Sequence, residues 1–248
     1  MRRFEPKASR FSNRVLLTYA ATGKPEGLQL RNRTSNTPAE ILLYDEIGLW
    51  GTSAKDFISA LRDVGEGPLT LRINSPGGEV FDGLAIYNAV RGHKGDVLAV
   101  VDGMAASAAS FIALAANTVE MAESAFLMIH NSQGLAYGDR HTMTDMVSIM
   151  AKLDAQLATI YAGKSGMSVE DVGKLLDAET WYTSSEALEA KLIDRIGEAP
   201  EVTAMAPVKP GAFAHVPPAV ADQTDPAKLL ADATEARRRL LRLVEAEV

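Results

Sequence analysis

A run of small and apolar residues at positions 97–116, VLAVVDGMAASAASFIALAA, constrains the fold of this chain more than any other stretch. Its first five residues form a short apolar run that predicts a β-strand, which we expect to end at Asp102-Gly103. The alanines and serines that follow predict a buried helix with Ser107 near its start. Small neighbours leave room for a substrate backbone, and a helix N-terminus has free N–H groups, so Ser107 is a candidate nucleophile. A tightly packed helix of small residues without any chemistry explains the same stretch.

Composition narrows the class of protein. With 248 residues the chain can form one large or two small domains, and 47% hydrophobic residues are typical of a soluble globular protein. A net charge of −7 argues against a nucleic-acid partner. The absence of cysteine excludes disulfides and thiolate metal sites. No apolar run approaches the length of a membrane span, and the basic N-terminus lacks the apolar segment of a signal peptide. We therefore expect a cytoplasmic protein with no membrane or nucleic-acid partner.

The pattern along the chain predicts one main domain with extensions at both ends. From Ile41 onward, strands and helices alternate, which predicts an α/β fold with a largely parallel sheet. An N-terminal arm or pro-segment carrying one strand is expected over 1–38, and the main domain over 39–199. A linker rich in proline and alanine (200–224) and an amphipathic C-terminal helix (225–248) are expected to follow.

A long amphipathic helix is predicted from about residue 142 to residue 164. Its apolar stripe is rich in methionine and includes Met143, Met146 and Met150. A partner subunit could cover this stripe, although an ordinary core helix is the simpler interpretation.

Three further polar features could act together with Ser107. The turn NSPGG (74–78) follows a predicted strand, and its glycines could direct backbone N–H groups at a ligand, although a purely structural turn has the same sequence. His130 ends an apolar strand, where a general base and a hydrogen-bonded core histidine are equally good interpretations. Asp177 and Glu179 precede a short strand, and either could orient a histidine; a solvated helix end is the alternative.

Taken together, these segments resemble the ClpP family of serine peptidases. The resemblance covers residues 40–197 in four segments: INSPGGEVFDGLAIYNAV, VDGMAASAAS, FLMIHN and ETWYTSSEALEAKLID. The amino-acid sequences of these segments are most similar to those of the phage and prophage branch, whose members act as head maturation (prohead) proteases. The resemblance implies a ClpP/crotonase-like fold of repeated β-β-α units, with the long helix protruding as a handle.

The resemblance also implies a role for each candidate site residue. Ser107 is expected to be the nucleophile and His130 the general base. Glu179 aligns with the third member of the triad, where the family has an aspartate, and Asp177 is the fallback. The backbone N–H groups of Gly78 and Ala108 would form the oxyanion hole. The residues expected to flank an extended substrate strand are Gly77, Glu79, Val80 and Asn131.

The expected activity is serine endopeptidase cleavage of protein substrates, capsid or scaffold protein in particular, with no metal or organic cofactor. The expected assembly is a homo-oligomeric ring or double ring, located in the bacterial host cytoplasm or inside the prohead. A housekeeping ClpP subunit that works with an ATP-driven unfoldase is the nearest alternative. A scaffold protein with weak peptidase activity is the non-enzyme alternative. Enoyl-CoA hydratase-type enzymes and Ser–Lys signal-peptide peptidases are less suitable, because neither accounts for a Ser107–His130 pair.

Overall fold

The computed structural model describes residues 28–31, 38–49, 51–197 and 213–217. The predicted C-terminal helix (225–248) and the apolar run Val15 to Ala21 lie outside these residues. The described part of the N-terminal arm is a strand, Leu28–Arg31. The limits set above for the arm, the linker and the C-terminal helix stay predictions.

One eight-stranded sheet forms the centre of the domain. Most neighbouring strands are parallel, and the antiparallel pairs are β1 with β2 and β6 with β7. The main path runs β1-β2-β3-β4-β5-β8, while β6 pairs with β4 and carries β7 on its other edge. The strands are β1 (Leu28–Arg31), β2 (Ala39–Leu43), β3 (Leu69–Ser75), β4 (Val97–Ala106), β5 (Thr118–Ala122), β6 (Phe126–Ile129), β7 (Thr180–Thr183) and β8 (Arg195–Gly197).

Six helices connect or flank these strands in the described part of the chain, and capping side chains set the start of most of them. Ser53 and Ser168 each accept a hydrogen bond from an N–H group in the first turn, as a serine N-cap does. The last described helix is capped by Thr183, which forms a capping box with Glu186. The helices are α1 (Ala54–Val64), α2 (Val80–Arg91), α3 (Ala108–Ala113), α4 (Arg140–Ser165), α5 (Val169–Asp177) and α6 (Ser184–Glu189).

The prediction that strand β4 ends at Asp102-Gly103 is wrong. The strand continues to Ala106, with a register irregularity opposite the end of β3. Two interactions override the turn tendency of the Asp-Gly pair. The buried Asp102 carboxylate accepts hydrogen bonds from Tyr44 and Arg72, and the last three residues of β4 pair with β6. Asp102 thus stays in the ladder because its charge is neutralised there.

The core lies between the sheet and its helices and includes the C-terminal half of α4. Leu157, Ala158 and Tyr161 are buried, whereas Met143 and Val147 in the N-terminal half are exposed. The predicted α/β class with a long protruding helix is therefore confirmed. Among the described residues, no helix is both long enough and apolar enough to cross a bilayer.

Candidate active site

Ser107 occupies the sharp turn between β4 and α3. Its backbone has φ 53° and ψ −123°, a region that non-glycine residues rarely adopt, at a cost of about 1–3 kcal/mol. The turn is held by the Ser107 N–H group, which donates to the Met128 carbonyl at 3.0 Å. Ser107 is also the N-terminal flanking residue of α3, as the sequence predicts, but its side chain does not cap the helix. The hydroxyl is therefore available for another partner.

That partner is His130, the first residue after β6. Its Nε2 atom lies 2.8 Å from Ser107 Oγ, within hydrogen-bond distance. Burial lowers the pKa of His130, because desolvation disfavours the charged ring; the charges of Glu179 and Asp154 oppose this effect without reversing it. The neutral ring, which can accept the hydroxyl proton, is therefore favoured near neutral pH.

The NSPGG turn lies directly against the serine. Gly77 has φ +86°, and a Cβ atom at this position would come within 2.7 Å of Ala108 N and 2.8 Å of Ser107 Cβ. Only glycine fits such an approach. The Ser75 hydroxyl holds the turn through two hydrogen bonds. It donates to the Asp45 carbonyl at 2.5 Å and accepts from Gly77 N–H at 3.1 Å.

Two backbone N–H groups near Ser107 have no acceptor among the described residues. Neither Gly78 N–H nor Ala108 N–H donates a hydrogen bond to any residue that the structure describes. Ala108 is the first residue of α3, where N–H groups have no partner within the helix. The segment 46–48 leaves Gly78 N–H free, because Ile47 bonds to Gly77 O and Glu79 N instead. Such free donors can stabilise a developing oxyanion.

The two acidic candidates have different surroundings. Asp177 accepts a hydrogen bond from Asn131 Nδ2 at 2.6 Å, on the exposed side of the domain. Glu179 is buried, has φ 48°, and lies close enough to His130 for their charges to interact. No hydrogen bond joins Glu179 to the His130 ring, although both residues belong to the described part of the chain. The structure thus groups Ser107 with His130 and leaves Glu179 near them but unconnected.

A cleft of about 370 Å³ opens beside Ser107 and His130. Phe111, Leu157 and Tyr161 contribute apolar surface to it. The four residues predicted to flank a substrate, Gly77, Glu79, Val80 and Asn131, all line this cleft. The Glu79 carboxylate is also the N-cap of α2, because it accepts from Asp82 N–H at 2.7 Å.

Comparison with known proteins now identifies the family. The model of the Clp protease family matches residues 37–200, which is most of the chain. The chain belongs to the Clp protease family. It is thereby a member of a family of serine peptidases, and its α/β fold is ClpP-like.

Individual relatives agree with this assignment. An ATP-dependent Clp protease proteolytic subunit of Bacteroides fragilis is 32% identical over 172 residues, covering 68% of this chain and 76% of that protein. The corresponding subunit of Porphyromonas gingivalis is 31% identical over 169 residues, covering 63% of this chain and 76% of that protein. The solved structure of a ClpP1 mutant from Listeria monocytogenes aligns with a TM-score of 0.56 at 26% identity, covering 62% of this chain and 88% of that one.

One side chain of the site in this Clp protease family member, Phe213, was not predicted from the sequence. Phe213, in the predicted linker, also lines the cleft, and its ring meets the His130 ring edge-to-face at 5.9 Å between centroids. The next two residues bond to Glu179 through their backbone N–H groups. The only sequence signal for this contact is an aromatic residue within GAFAHVPP, a segment otherwise rich in proline and alanine.

The described residues contain no group of three or more histidine, aspartate or glutamate side chains that could hold a metal ion. The chemistry available from these residues is a serine hydroxyl, an imidazole, a carboxylate and free backbone N–H groups.

The lowered pKa of His130 predicts how the reactivity of Ser107 depends on pH. A neutral imidazole activates a hydroxyl and a protonated one does not, so reactivity is lost as pH falls through the pKa of His130. Since burial lowers that pKa, we expect the rate of Ser107 labelling by a fluorophosphonate to be half-maximal below pH 6.5. Circular dichroism over the same pH range is the control and should show an unchanged fold. A midpoint above pH 6.5 would contradict the burial argument.

Proposed function

We propose that this Clp protease family member is a serine endopeptidase in which Ser107 is the nucleophile and His130 the general base. The observation that carries the proposal is the 2.8 Å contact between Ser107 Oγ and His130 Nε2. A nucleophile within hydrogen-bond reach of its base is the arrangement that acyl-transfer chemistry needs.

The remaining groups account for each step. Ser107 Oγ attacks the peptide carbonyl carbon while its proton passes to His130 Nε2. Gly78 N–H and Ala108 N–H stabilise the resulting oxyanion. The C–N bond then breaks, His130 gives its proton to the leaving amine, and an acyl group remains on Ser107. His130 then takes a proton from water, whose oxygen attacks the ester carbon. The C–O bond to Ser107 breaks, and His130 returns the proton to Ser107 Oγ.

We assign the third position of the triad to Glu179 rather than to Asp177. Glu179 is buried near His130, and its negative charge favours the protonated ring that forms during attack. Asp177 is engaged by Asn131 on the exposed side, where a charge interacts weakly with a buried ring. In the present arrangement the Glu179 carboxylate would have to turn to accept a hydrogen bond from His130.

The exposed half of α4 supports assembly into rings. Met143, Val147 and Ile149 are exposed on a helix whose other half is buried. Apolar side chains on a protruding helix favour contact with another subunit. We therefore retain the homo-oligomeric ring or double ring as part of the proposal, with α4 as its contact surface.

The biological role that we propose is processing of phage capsid or scaffold protein during head maturation. Two sequence features support this role: the residues of the VDGMAASAAS and ETWYTSSEA segments, and the presence of a further segment after residue 197. The housekeeping role has equal support, because the bacterial relatives described above are ATP-dependent Clp protease subunits. In either role the substrate is a protein.

Removing the nucleophile tests the peptidase proposal. We expect Ser107→Ala and His130→Ala to lower kcat/KM for peptide hydrolysis by about 10⁴-fold or more, and to abolish fluorophosphonate labelling. The Ser107→Ala chain should remain folded and assembled, because the change removes one hydroxyl group; circular dichroism and gel filtration check this. Unchanged hydrolysis in Ser107→Ala would contradict the proposal.

A matched pair of variants tests the third residue. Glu179→Gln should lower kcat by about 10³-fold, because the protonated His130 ring loses its stabilising charge. Asp177→Asn should change kcat less than about twofold, since its charge lies at the surface. Loss of activity in Asp177→Asn alone would place the acid at Asp177 instead.

Intact-mass spectrometry tests the biological role. The purified chain, incubated with a capsid or scaffold protein from the phage or prophage that carries its gene, should produce discrete cleavage products without ATP. Ser107→Ala is the control and should leave the substrate intact. Cleavage that requires an ATP-driven unfoldase would favour the housekeeping role, and tight binding without cleavage would favour a scaffold.

A further inference from the structure

Residues 213–217 return to the domain and contact the acidic member of the site. Ala214 N–H donates to Glu179 Oε2 at 2.8 Å, and His215 N–H donates to Oε1 of the same carboxylate at 2.5 Å. Both oxygens of Glu179 are therefore hydrogen-bonded to residues 213–217, which we call the tail. Burial by itself would raise the pKa of Glu179. The two backbone bonds, together with a weaker one from Trp181, outweigh this effect, so the pKa of Glu179 is lowered.

The Phe213 side chain adds aromatic packing to this contact. Its ring packs edge-to-face on His130 and on Trp181, with centroid distances of 5.9 and 5.5 Å. Phe213 and Val216 also cover a small apolar cluster made of Met104, Ala106 and Met128. The tail is thus anchored by aromatic packing and by two charge-assisted hydrogen bonds, which are stronger than neutral ones.

This contact changes the state of the candidate triad. The Glu179 carboxylate bonds to tail N–H groups, while His130 bonds to Ser107 and to no acidic side chain in the described part of the chain. An imidazole that lacks a carboxylate partner is a poorer base during attack, because its protonated form is not stabilised. Phe213 also occupies part of the cleft wall beside Ser107.

We propose that residues 213–217 form an autoinhibitory latch, which holds Glu179 away from His130 until the latch is displaced. The latch rests on the proposed peptidase function. Release frees the Glu179 carboxylate to accept a hydrogen bond from His130, and it opens the cleft wall that Phe213 covers. The occupant is a segment of this chain, and a protein substrate or assembly partner that competes for the same apolar cluster would activate the enzyme.

Substitutions in the full-length chain test the latch without truncation. His215→Pro removes the N–H donor to Glu179, whereas His215→Ala keeps that N–H group and removes only the imidazole. We expect His215→Pro to raise the rate constant for Ser107 labelling by a fluorophosphonate by about 10-fold, the effect of losing one hydrogen bond to a charged group. Phe213→Ala should raise it by a similar factor, about 10-fold, because it removes two aromatic contacts of the segment. The His215→Ala control should label at the rate of the unmodified chain.

The outcomes separate the latch from the peptidase proposal. Labelling of Ser107 at equal rates in all these chains would overturn the latch alone. Slower labelling in His215→Pro and Phe213→Ala would also overturn it, because the tail would then complete the site. No labelling in any chain, including the unmodified one, would overturn the peptidase proposal.

Tryptophan fluorescence gives a second readout that needs no catalysis. Trp181 packs on Phe213, and the chain has two tryptophans, so a Trp50→Phe background isolates its emission. With Ser107→Ala also present, Phe213→Ala and His215→Pro should shift the emission to longer wavelength, because Trp181 becomes exposed. A synthetic peptide of residues 208–219 should reverse the shift in the Phe213→Ala chain, and the same peptide carrying Phe213→Ala should not. Emission identical in all chains would show that the tail does not dock.

Discussion

The pairing of β4 with two different neighbours is the constraint on which the candidate site depends. The first half of β4 pairs with β5, and its last three residues pair with β6, with Ala106 opposite Met128. This register places Ser107, the next residue, beside the end of β6, where its N–H group bonds to Met128 and its hydroxyl meets His130. A shift of one residue would turn either side chain to the opposite face of the sheet. The strand ladder therefore aligns the serine and the histidine.

Electrostatic balance in the site depends on groups far apart in the sequence. Burial of His130 and of Glu179 each disfavours the charged form, and the two side chains could compensate each other if they were bonded. In this structure the compensation for Glu179 comes from backbone N–H groups of the tail instead. Buried charges require partners, and a segment that supplies N–H groups can compete with an imidazole for the same carboxylate.

Local patterns in the sequence predicted the alternating strands and helices, the start of the helix after Ser107, and the α/β class, because periodicity and capping act over a few residues. They predicted a break at Asp102-Gly103 wrongly, since the ladder to β6 and the partners Tyr44 and Arg72 lie elsewhere in the chain. The 2.8 Å contact of Ser107 with His130 follows from strand register, which the sequence alone does not give. The docking of Phe213 was not predicted, because a segment rich in proline and alanine carries no periodic pattern, and its ring partners His130 and Trp181 lie 83 and 32 residues earlier.

The position of the tail contact has an evolutionary consequence. The match to the family model ends at residue 200, so Phe213 and the two N–H donors lie outside the part of the chain that this model describes. The groups around Ser107 and the groups that hold Glu179 can then accumulate substitutions separately. A lineage can lengthen, replace or lose the segment after residue 200 while the peptidase domain stays under its own selection, so control of such a domain can diverge faster than its chemistry.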